Sequence, residues 1–461
     1  MEKCEKNSSV IDLQSVTASN VKLTEVGRVK ENVANGNHLD EVYDPFSNRD
    51  KTHQTSDFGA LVHIFKGSFG SGILAVPRAY KNGGLIFSLL GTVLIGALCA
   101  HCVAILVKCS HVLSVRDKKP SLNFEATAET AFKTGPKGIR KYATAAKRFV
   151  TLSLFSTYYF GNTVYVVLIA QTLQQLVKNQ FDVDLGIRWC ILIIAVPVLI
   201  LGIGRTLKFL VPVSASGILF ITFGIAVTFY YALDDIQPIN TRKYIAPIQE
   251  MPVFFTTIVF AMEGIGTVLP IENSMKHPDH FRGICGVLNI AMTLIVILYS
   301  VVGCVCYLKY GEETEANITL NLPHDTLSEL VKLLVALSIL FTYGLQFCVP
   351  TEILWNQIKH RTNSKYETST YYVMRGLMII GTIFIALIIP NLGPFIGLVG
   401  ALCFATLGLL TPAMIELATY WEEDCGYFRI CKNIFIMIFS IFITITGAYI
   451  SMDEVINAYL D

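Results

Sequence analysis

The sequence predicts an all-α polytopic membrane protein of eleven transmembrane helices, in which two inverted five-helix repeats precede a final helix and the first and sixth helices are broken. Three observations carry that reading. Of 461 residues, 53% are hydrophobic and only 15% charged, where a soluble domain carries about 25% charged residues. Apolar runs free of Asp, Glu, Lys and Arg recur along the chain, and a bilayer core needs about 20 such residues per helix. Two further runs are interrupted by glycines beside a charge, in matching positions of the two halves.

Residues 1–57 mix seven Lys and Arg with ten Asp and Glu and show no apolar period, so they cannot bury enough surface to offset the entropy of ordering. A disordered tail is expected there. It is no signal peptide, because a basic start followed by an apolar core is missing. The first span covers about 58–80 and is interrupted by Lys66 and the glycine-rich stretch 67–72. Spans at about 83–107, 149–177, 209–233, 283–308 and 433–452 are free of charge, whereas 189–204 is short and borrows flanking residues. The sixth span, 251–271, is interrupted by Glu263, Gly264 and Gly266 and closed by Pro270. An eighth covers 330–351. The run 377–415 is too long for one helix, and Pro390, Asn391, Gly393 and Pro394 divide it into spans 371–389 and 394–418, because proline removes a backbone donor and disfavours helix in the residue before it.

Orientation follows from the loops. Those on the side of the tail (108–148, 205–208, 272–282, 356–368 and 422–432) hold 19 Lys and Arg against 7 in the opposite loops, which marks the tail side as cytoplasmic. The end, 453–461, then lies outside or in a lumen. The sequon Asn317-Ile318-Thr319 falls in an outward loop, which makes Asn317 a candidate glycosylation site. A net charge of +1 offers no basic footprint for nucleic acid. Eight of the twelve cysteines, among them Cys99, Cys102 and Cys190, lie in or beside apolar runs, where a thiol behaves as a small hydrophobe; no secreted disulfide scaffold fits that usage.

The two interruptions point to function. Unwound backbone is tolerated at membrane depth only where it lines a cavity, and paired breaks in inverted halves mark a transporter binding site. In the first span, Gly67, Gly70 and Gly72, with Ser68 and Ser71, let a ligand approach the main chain. The half-helix starting near Ser71 points its positive end at mid-membrane, where a carboxylate would bind. In the sixth, the break around Phe260, Ala261, Met262, Glu263 and Gly264 exposes carbonyls that could hold an ammonium. Together they describe a site for a zwitterion. Single glycines in membrane helices more often serve close packing, and it is the pairing that favours a site. Residues 67–72 are no phosphate loop, since the Gly-Lys-Ser/Thr ending is absent. Cys99 and Cys102 have metal-pair spacing but no second pair, so packing is expected and no metal.

The segment Leu61-Val62-His63-Ile64-Phe65-Lys66-Gly67-Ser68-Phe69-Gly70-Ser71-Gly72-Ile73-Leu74-Ala75-Val76-Pro77 and the segment Phe260-Ala261-Met262-Glu263-Gly264-Ile265-Gly266-Thr267-Val268-Leu269-Pro270-Ile271-Glu272-Asn273-Ser274-Met275 resemble the first and sixth helices of the proton-coupled amino acid transporters of the amino acid/auxin permease group. The resemblance spans residues 58–452. It implies a leucine-transporter-type fold, symport of small neutral amino acids such as alanine, glycine and proline, and residence in the plasma or lysosomal membrane. It implies no cofactor, only the proton as coupling ion. The family's histidine tied to proton coupling corresponds to His63, and a histidine titrates near physiological pH. Glu263 is the second candidate, because an intramembrane carboxylate is functional by default. The family's outward cysteine pair has no counterpart here, so no such bridge is expected. Tyr158, Tyr159, Thr342 and Tyr343 are candidates, from depth alone, for closing the pocket. Two alternatives stay open: an amino acid sensor signalling to a partner through the tail, and a sodium-coupled carrier. An enzyme is not expected, because the spans hold no clustered metal or nucleophile set.

Overall fold

A computed structural model describes residues 43–49, 54–68, 70–204, 207–234, 236–262, 264–283, 285–422 and 426–460. The expected tail at 1–42, and Glu263, lie outside the described residues. Among these residues there is no strand, only an isolated parallel bridge between Thr55 and Met275.

The first span is a bent pair: α1 (Asp57–Ser68) and α2 (Gly72–Gly83) meet at 54°. There follow α3 (Leu85–Arg116), the short α4 (Phe124–Thr134), α5 (Ala143–Phe181), α6 (Ile187–Ile203) and α7 (Leu207–Leu233). The sixth span divides into α8 (Met251–Ala261) and α9 (Ile265–Asn273). After α10 (Val287–Tyr310) come α11 (Thr326–Gln346), α12 (Cys348–Ile358), α13 (Glu367–Ile388), α14 (Leu392–Val399), α15 (Thr411–Tyr420) and α16 (Tyr427–Leu460). Nine helices of the described chain are long and apolar enough to cross a membrane, and the bent pair makes ten. A count of eleven requires α6, a 17-residue apolar helix, to be taken as a span too.

Local chemistry explains the joints. Asn123 caps α4, its side chain accepting from the Ala126 N–H at 2.9 Å, which satisfies one orphan donor of that helix start. Between α14 and α15 the helix widens to π geometry over Gly400–Phe404 and Thr406–Leu410. π segments inside helices frequently mark functional sites. There Gly400 is wedged against the Thr256 carbonyl of α8, with no room for a Cβ. Small residues also join α7 and α11, where Ser338 Oγ donates to the Gly217 carbonyl at 2.6 Å. Close approach through small residues is how membrane helices pack without a hydrophobic drive.

Three expectations are corrected. The tail boundary at 57 moves, because residues 43–49 and 54–57 are packed against the end of α9: the Thr55 N–H donates to the Ser274 carbonyl at 2.7 Å, and Arg49, only 8% exposed, pairs with Glu272 at 3.0 Å. Hydropathy does not register one arginine whose carboxylate lies 223 positions away. The last helix runs on to Leu460 instead of ending at 452, because acidic residues end an apolar run without ending a helix. Asn317 is fully buried, its Oδ1 accepting from the Thr319 N–H and hydroxyl at 3.1 and 2.9 Å and its Nδ2 facing Thr172 Oγ1 at 3.4 Å. The Asn-x-Thr spacing of a sequon also makes an Asx turn, and the folded chain uses it that way.

Candidate functional site

Both breaks lie where the sequence puts them, and they touch. At the second, Gly264 adopts φ +154°, a backbone conformation that only glycine takes readily. Its carbonyl then accepts from the Thr267 N–H at 3.0 Å and from Thr267 Oγ1 at 2.8 Å, which closes the first turn of α9. A Cβ on Gly72 would stand 2.7 Å from Ala261 Cα, and one on Gly264 would stand 2.9 Å from Ser68 Oγ. The start of α2 is thus seated on the end of α8 backbone to backbone. From α10, the fully buried Tyr299 donates its hydroxyl to the Ser68 carbonyl at 2.5 Å and lies 3.1 Å from the Ala261 carbonyl. One side chain therefore serves freed carbonyls of both breaks.

The third span adds a polar face. Tyr158, Asn162 and Tyr165 are spaced i, i+4, i+7 and share one side of α5. At one end Tyr158 Oη would meet a Cβ on Gly266 at 2.6 Å, and at the other Tyr165 Oη would stand 4.0 Å from one on Gly70. The Tyr165 hydroxyl donates to Gln346 Oε1 of α11 at 3.1 Å. Between them Asn162, fully buried, spends its Nδ2 on the Tyr158 carbonyl at 2.7 Å, while its Oδ1 has no partner. Ser71, 3% exposed at the start of α2, likewise has a buried Oγ without a partner. Buried polar atoms are nearly always bonded, so each exception calls for an explanation; a polar ligand at the breaks supplies one for both.

Beside the breaks lies a cavity of about 30 Å³, lined by Ile64, Ser68, Val259, Met262, Gly264 and Phe404 among others. About 10–15 Å³ of such space is needed for one water, so the cavity has room for a few waters at most. Its wall is almost wholly apolar. Phe260 packs edge-on against Phe404 with centroids 5.3 Å apart, which fixes α8 to the π-helical segment.

Of the residues read from the sequence, Gly67, Ser68, Gly70, Ser71, Gly72, Phe260, Ala261, Met262 and Gly264 are brought together at the joined breaks. His63 is exposed on α1 and does not line the cavity, and Glu263 lies outside the described residues. Tyr158 reaches α9. Tyr159 and Tyr343 instead turn to α13, donating to the Met378 carbonyl at 2.9 Å and facing Thr382 Oγ1 at 3.1 Å, while Thr342 bonds the Ser338 carbonyl of its own helix at 2.9 Å. Cys99 lines the cavity and Cys102 is buried. The described residues hold no cluster of three or more metal-type ligands. Sequence reasoning missed Asn162, Tyr165, Gln346 and Tyr299. The polar face of span three at i, i+4, i+7 and the lone glutamine in 330–351 were the available signals.

Residues 53–454 match the family described as transmembrane amino acid transporter protein. The chain is 38% identical over 420 residues to the proton-coupled amino acid transporter-like protein pathetic of Drosophila melanogaster, covering 90% of this chain and 89% of that one. It is 27% identical over 406 residues to the amino acid transporter AVT3A of Arabidopsis thaliana, covering 86% and 90%. Among solved structures it is similar to MHP1, a nucleobase-cation-symport-1 family transporter in a closed conformation with bromovinylhydantoin bound (TM-score 0.47, 14% identity, 91% of this chain and 95% of that one). It is also similar to MhsT in complex with L-phenylalanine (TM-score 0.46, 12% identity, 87% and 100%). The chain belongs to the transmembrane amino acid transporter protein family and is a multi-pass amino acid transporter, not an enzyme.

Proposed function

We propose that the chain is a proton-coupled symporter of small neutral amino acids at the plasma or lysosomal membrane. The observation that carries this reading is the pair of orphan atoms at the joined breaks, Ser71 Oγ and Asn162 Oδ1. An α-amino acid answers both: its carboxylate accepts from Ser71 and the free N–H groups at the start of α2, where the helix dipole is positive, and its ammonium donates to Asn162 Oδ1 and the carbonyls at the end of α8. The apolar wall suits an uncharged side chain, and the small volume of the cavity favours a small one. His63 and Glu263 remain the proposed proton carriers. His63, on the surface of α1, would exchange its proton with the aqueous or interfacial side while α1 moves. The test is uptake of labelled alanine, glycine and proline into proteoliposomes holding the purified chain. Uptake driven by an inward proton gradient and indifferent to sodium is expected; uptake that requires sodium and ignores the gradient overturns the coupling. The Gly70→Val variant tests the site, and undiminished uptake by it would remove the main-chain site from the account.

A further inference from the structure

A second, smaller pocket lies farther along α2 from the break. Ala75, Arg78 and Asn82 line it from α2, Thr257 from α8, Gly393 from the start of α14 and Glu454 from α16. Ala75, Arg78 and Asn82 are spaced i, i+3, i+7 and so share one face of the helix. At 1.5 Å per residue, Arg78 stands about 9 Å beyond Gly72, on the helix whose start is seated on the end of α8. The pocket is thus reached along α2 from the joined breaks.

Its polar groups are largely unspent. Asn82 and Thr257 are 8% and 3% exposed, and neither side chain makes a hydrogen bond among the described residues. Arg78 donates one long bond, from Nη1 to the Thr314 carbonyl at 3.4 Å, and its Nη2 lies 3.7 Å from where a Cβ on Gly393 would stand. Glu454 makes neither a hydrogen bond nor an ion pair among the described residues, although it shares the pocket with Arg78. One turn before it on α16, the fully buried Ser451 Oγ has no partner, and a Cβ on Gly397 of α14 would run into that oxygen. Charged side chains at helix ends near water need no explanation; buried Asn, Thr and Ser side chains left unbonded on the same walls do. A guanidinium and a carboxylate that face one space without pairing leave room for a solute carrying both opposite charges.

We propose that this pocket is a second binding site for the transported amino acid, a station before the breaks that holds the main-chain zwitterion: Arg78 and Asn82 take the carboxylate, and Glu454 and Thr257 Oγ1 take the ammonium. The assignment rests on amino acid transport itself and not on the arrangement proposed at the breaks. Bonds between ionised partners are the strong ones, and a pocket with one charge of each sign favours a zwitterion over an ion of either sign, which would face a like charge on one wall. The enclosed space is about 10 Å³, room for one water. Arg78 and Glu454 are long and only half-buried, so their swing toward the surface opens it for the small main-chain group, with the solute's own side chain left outside.

The experiment reconstitutes the full chain in proteoliposomes and measures uptake of labelled alanine and of labelled glycine over a range of concentrations, for the parent, Arg78→Gln, Arg78→Lys and Glu454→Gln. A station before the breaks governs how often substrate arrives and not how fast the loaded chain turns over. The apparent KM is expected to rise at least tenfold in Arg78→Gln and in Glu454→Gln, by the same factor for both amino acids because only main-chain groups are held, with the maximal rate within twofold of the parent. Arg78→Lys keeps the charge and should recover most of the loss. Equilibrium binding of labelled alanine to the chain in detergent gives a second reading: two molecules per parent chain and one per Glu454→Gln chain are expected. An unchanged KM in both glutamine variants, a fall in maximal rate at unchanged KM, a rise for one amino acid alone, or a single bound alanine in the parent would each overturn the proposal. Should the parent take up neither alanine nor glycine, it is the small-neutral substrate class that fails, and the same variants read with labelled leucine decide the station by the same outcomes.

Discussion

The Tyr299 hydroxyl donates to the Ser68 carbonyl at 2.5 Å and lies 3.1 Å from the Ala261 carbonyl. A phenol has one proton to give, so the two freed carbonyls compete for it, and the tie can move from one break to the other without leaving either helix. In Tyr299→Phe both carbonyls lose this donor in a buried site, the Ser68 carbonyl keeping the Gly70 N–H at 3.0 Å. Leaving a buried polar group short of a partner costs about 1–3 kcal/mol. Uptake is expected to fall severalfold, with a modest loss of melting temperature. Unchanged uptake and melting would show that the tie is incidental.

Arg49 and Glu272 make the second relationship that spans the chain. The guanidinium bonds both carboxylate oxygens, at 3.0 and 3.3 Å, and also the Glu272 and Pro120 carbonyls, at 3.1 and 3.2 Å. Removing one partner of a buried pair typically costs about 3–5 kcal/mol, while replacing both with apolar groups is often neutral. Arg49→Ala should therefore lower the melting temperature of the detergent-solubilised chain markedly, and Arg49→Met with Glu272→Met should recover most of the loss. A double variant as unstable as the single one would mean that residues 43–49 are held in place by something other than this pair.

Asn162→Leu separates ligand binding from folding. The side chain carries an unpartnered Oδ1 in a fully buried position, so an apolar group of similar size should leave stability unchanged or slightly raised. If the substrate ammonium uses that oxygen, the apparent KM for alanine should rise about tenfold or more, since a lost charge-assisted bond is worth about 1.5–3 kcal/mol. A lower melting temperature with unchanged KM would make Asn162 a structural residue.

What was legible in the sequence, and what was not, follows from how each feature is encoded. The breaks could be read because glycine strings and an intramembrane charge interrupt an otherwise apolar run, a signal local to ten residues. Gly264 even sits at the turning point itself. The partners of those breaks could not, because Tyr299 and Tyr165 look like ordinary aromatic residues in apolar helices until the fold aims their hydroxyls at carbonyls and amides. Arg49 was lost in a polar tail for the same reason. Asn317 misled because one short pattern serves two kinds of chemistry, an acceptor for a glycan and a turn that bonds itself.

The N-terminal end of α11 sets a limit on where pH sensitivity can arise. Asp325 caps that helix, accepting from the Ser328 N–H at 2.9 Å and from the Tyr231 hydroxyl. Hydrogen bonds from Ser328 and then Tyr231 hold its carboxyl below the usual range. A depressed acid contributes stability that is present above its unfolded value, about 4, and lost as pH falls through the folded one. Melting curves of the parent chain and of Asp325→Asn should therefore keep a constant separation from pH 7 to pH 5 and converge only toward pH 3. Convergence already near pH 6 would contradict the assignment. The expected constancy means that a pH response of transport between 5 and 7 has to come from a group other than Asp325.

Gly72 and Gly70, two residues apart, should behave in opposite ways. A Cβ on Gly72 meets Ala261 Cα at 2.7 Å and its carbonyl oxygen at 3.0 Å, which are backbone atoms that no rotamer change can move. In Gly72→Ala the start of α2 must lift away from the end of α8, and the carboxylate and ammonium ends of the site move apart. A shift of about 1 Å in such a constellation can cost about a hundredfold in rate. A Cβ on Gly70 meets only Tyr165 Oη, at 4.0 Å, an ordinary contact, so Gly70→Ala should transport at close to the parental rate and only a larger side chain should block it. Uptake by the two alanine variants, normalised to protein reconstituted, decides the matter: equal rates would mean that the contact between the two breaks plays no part in transport.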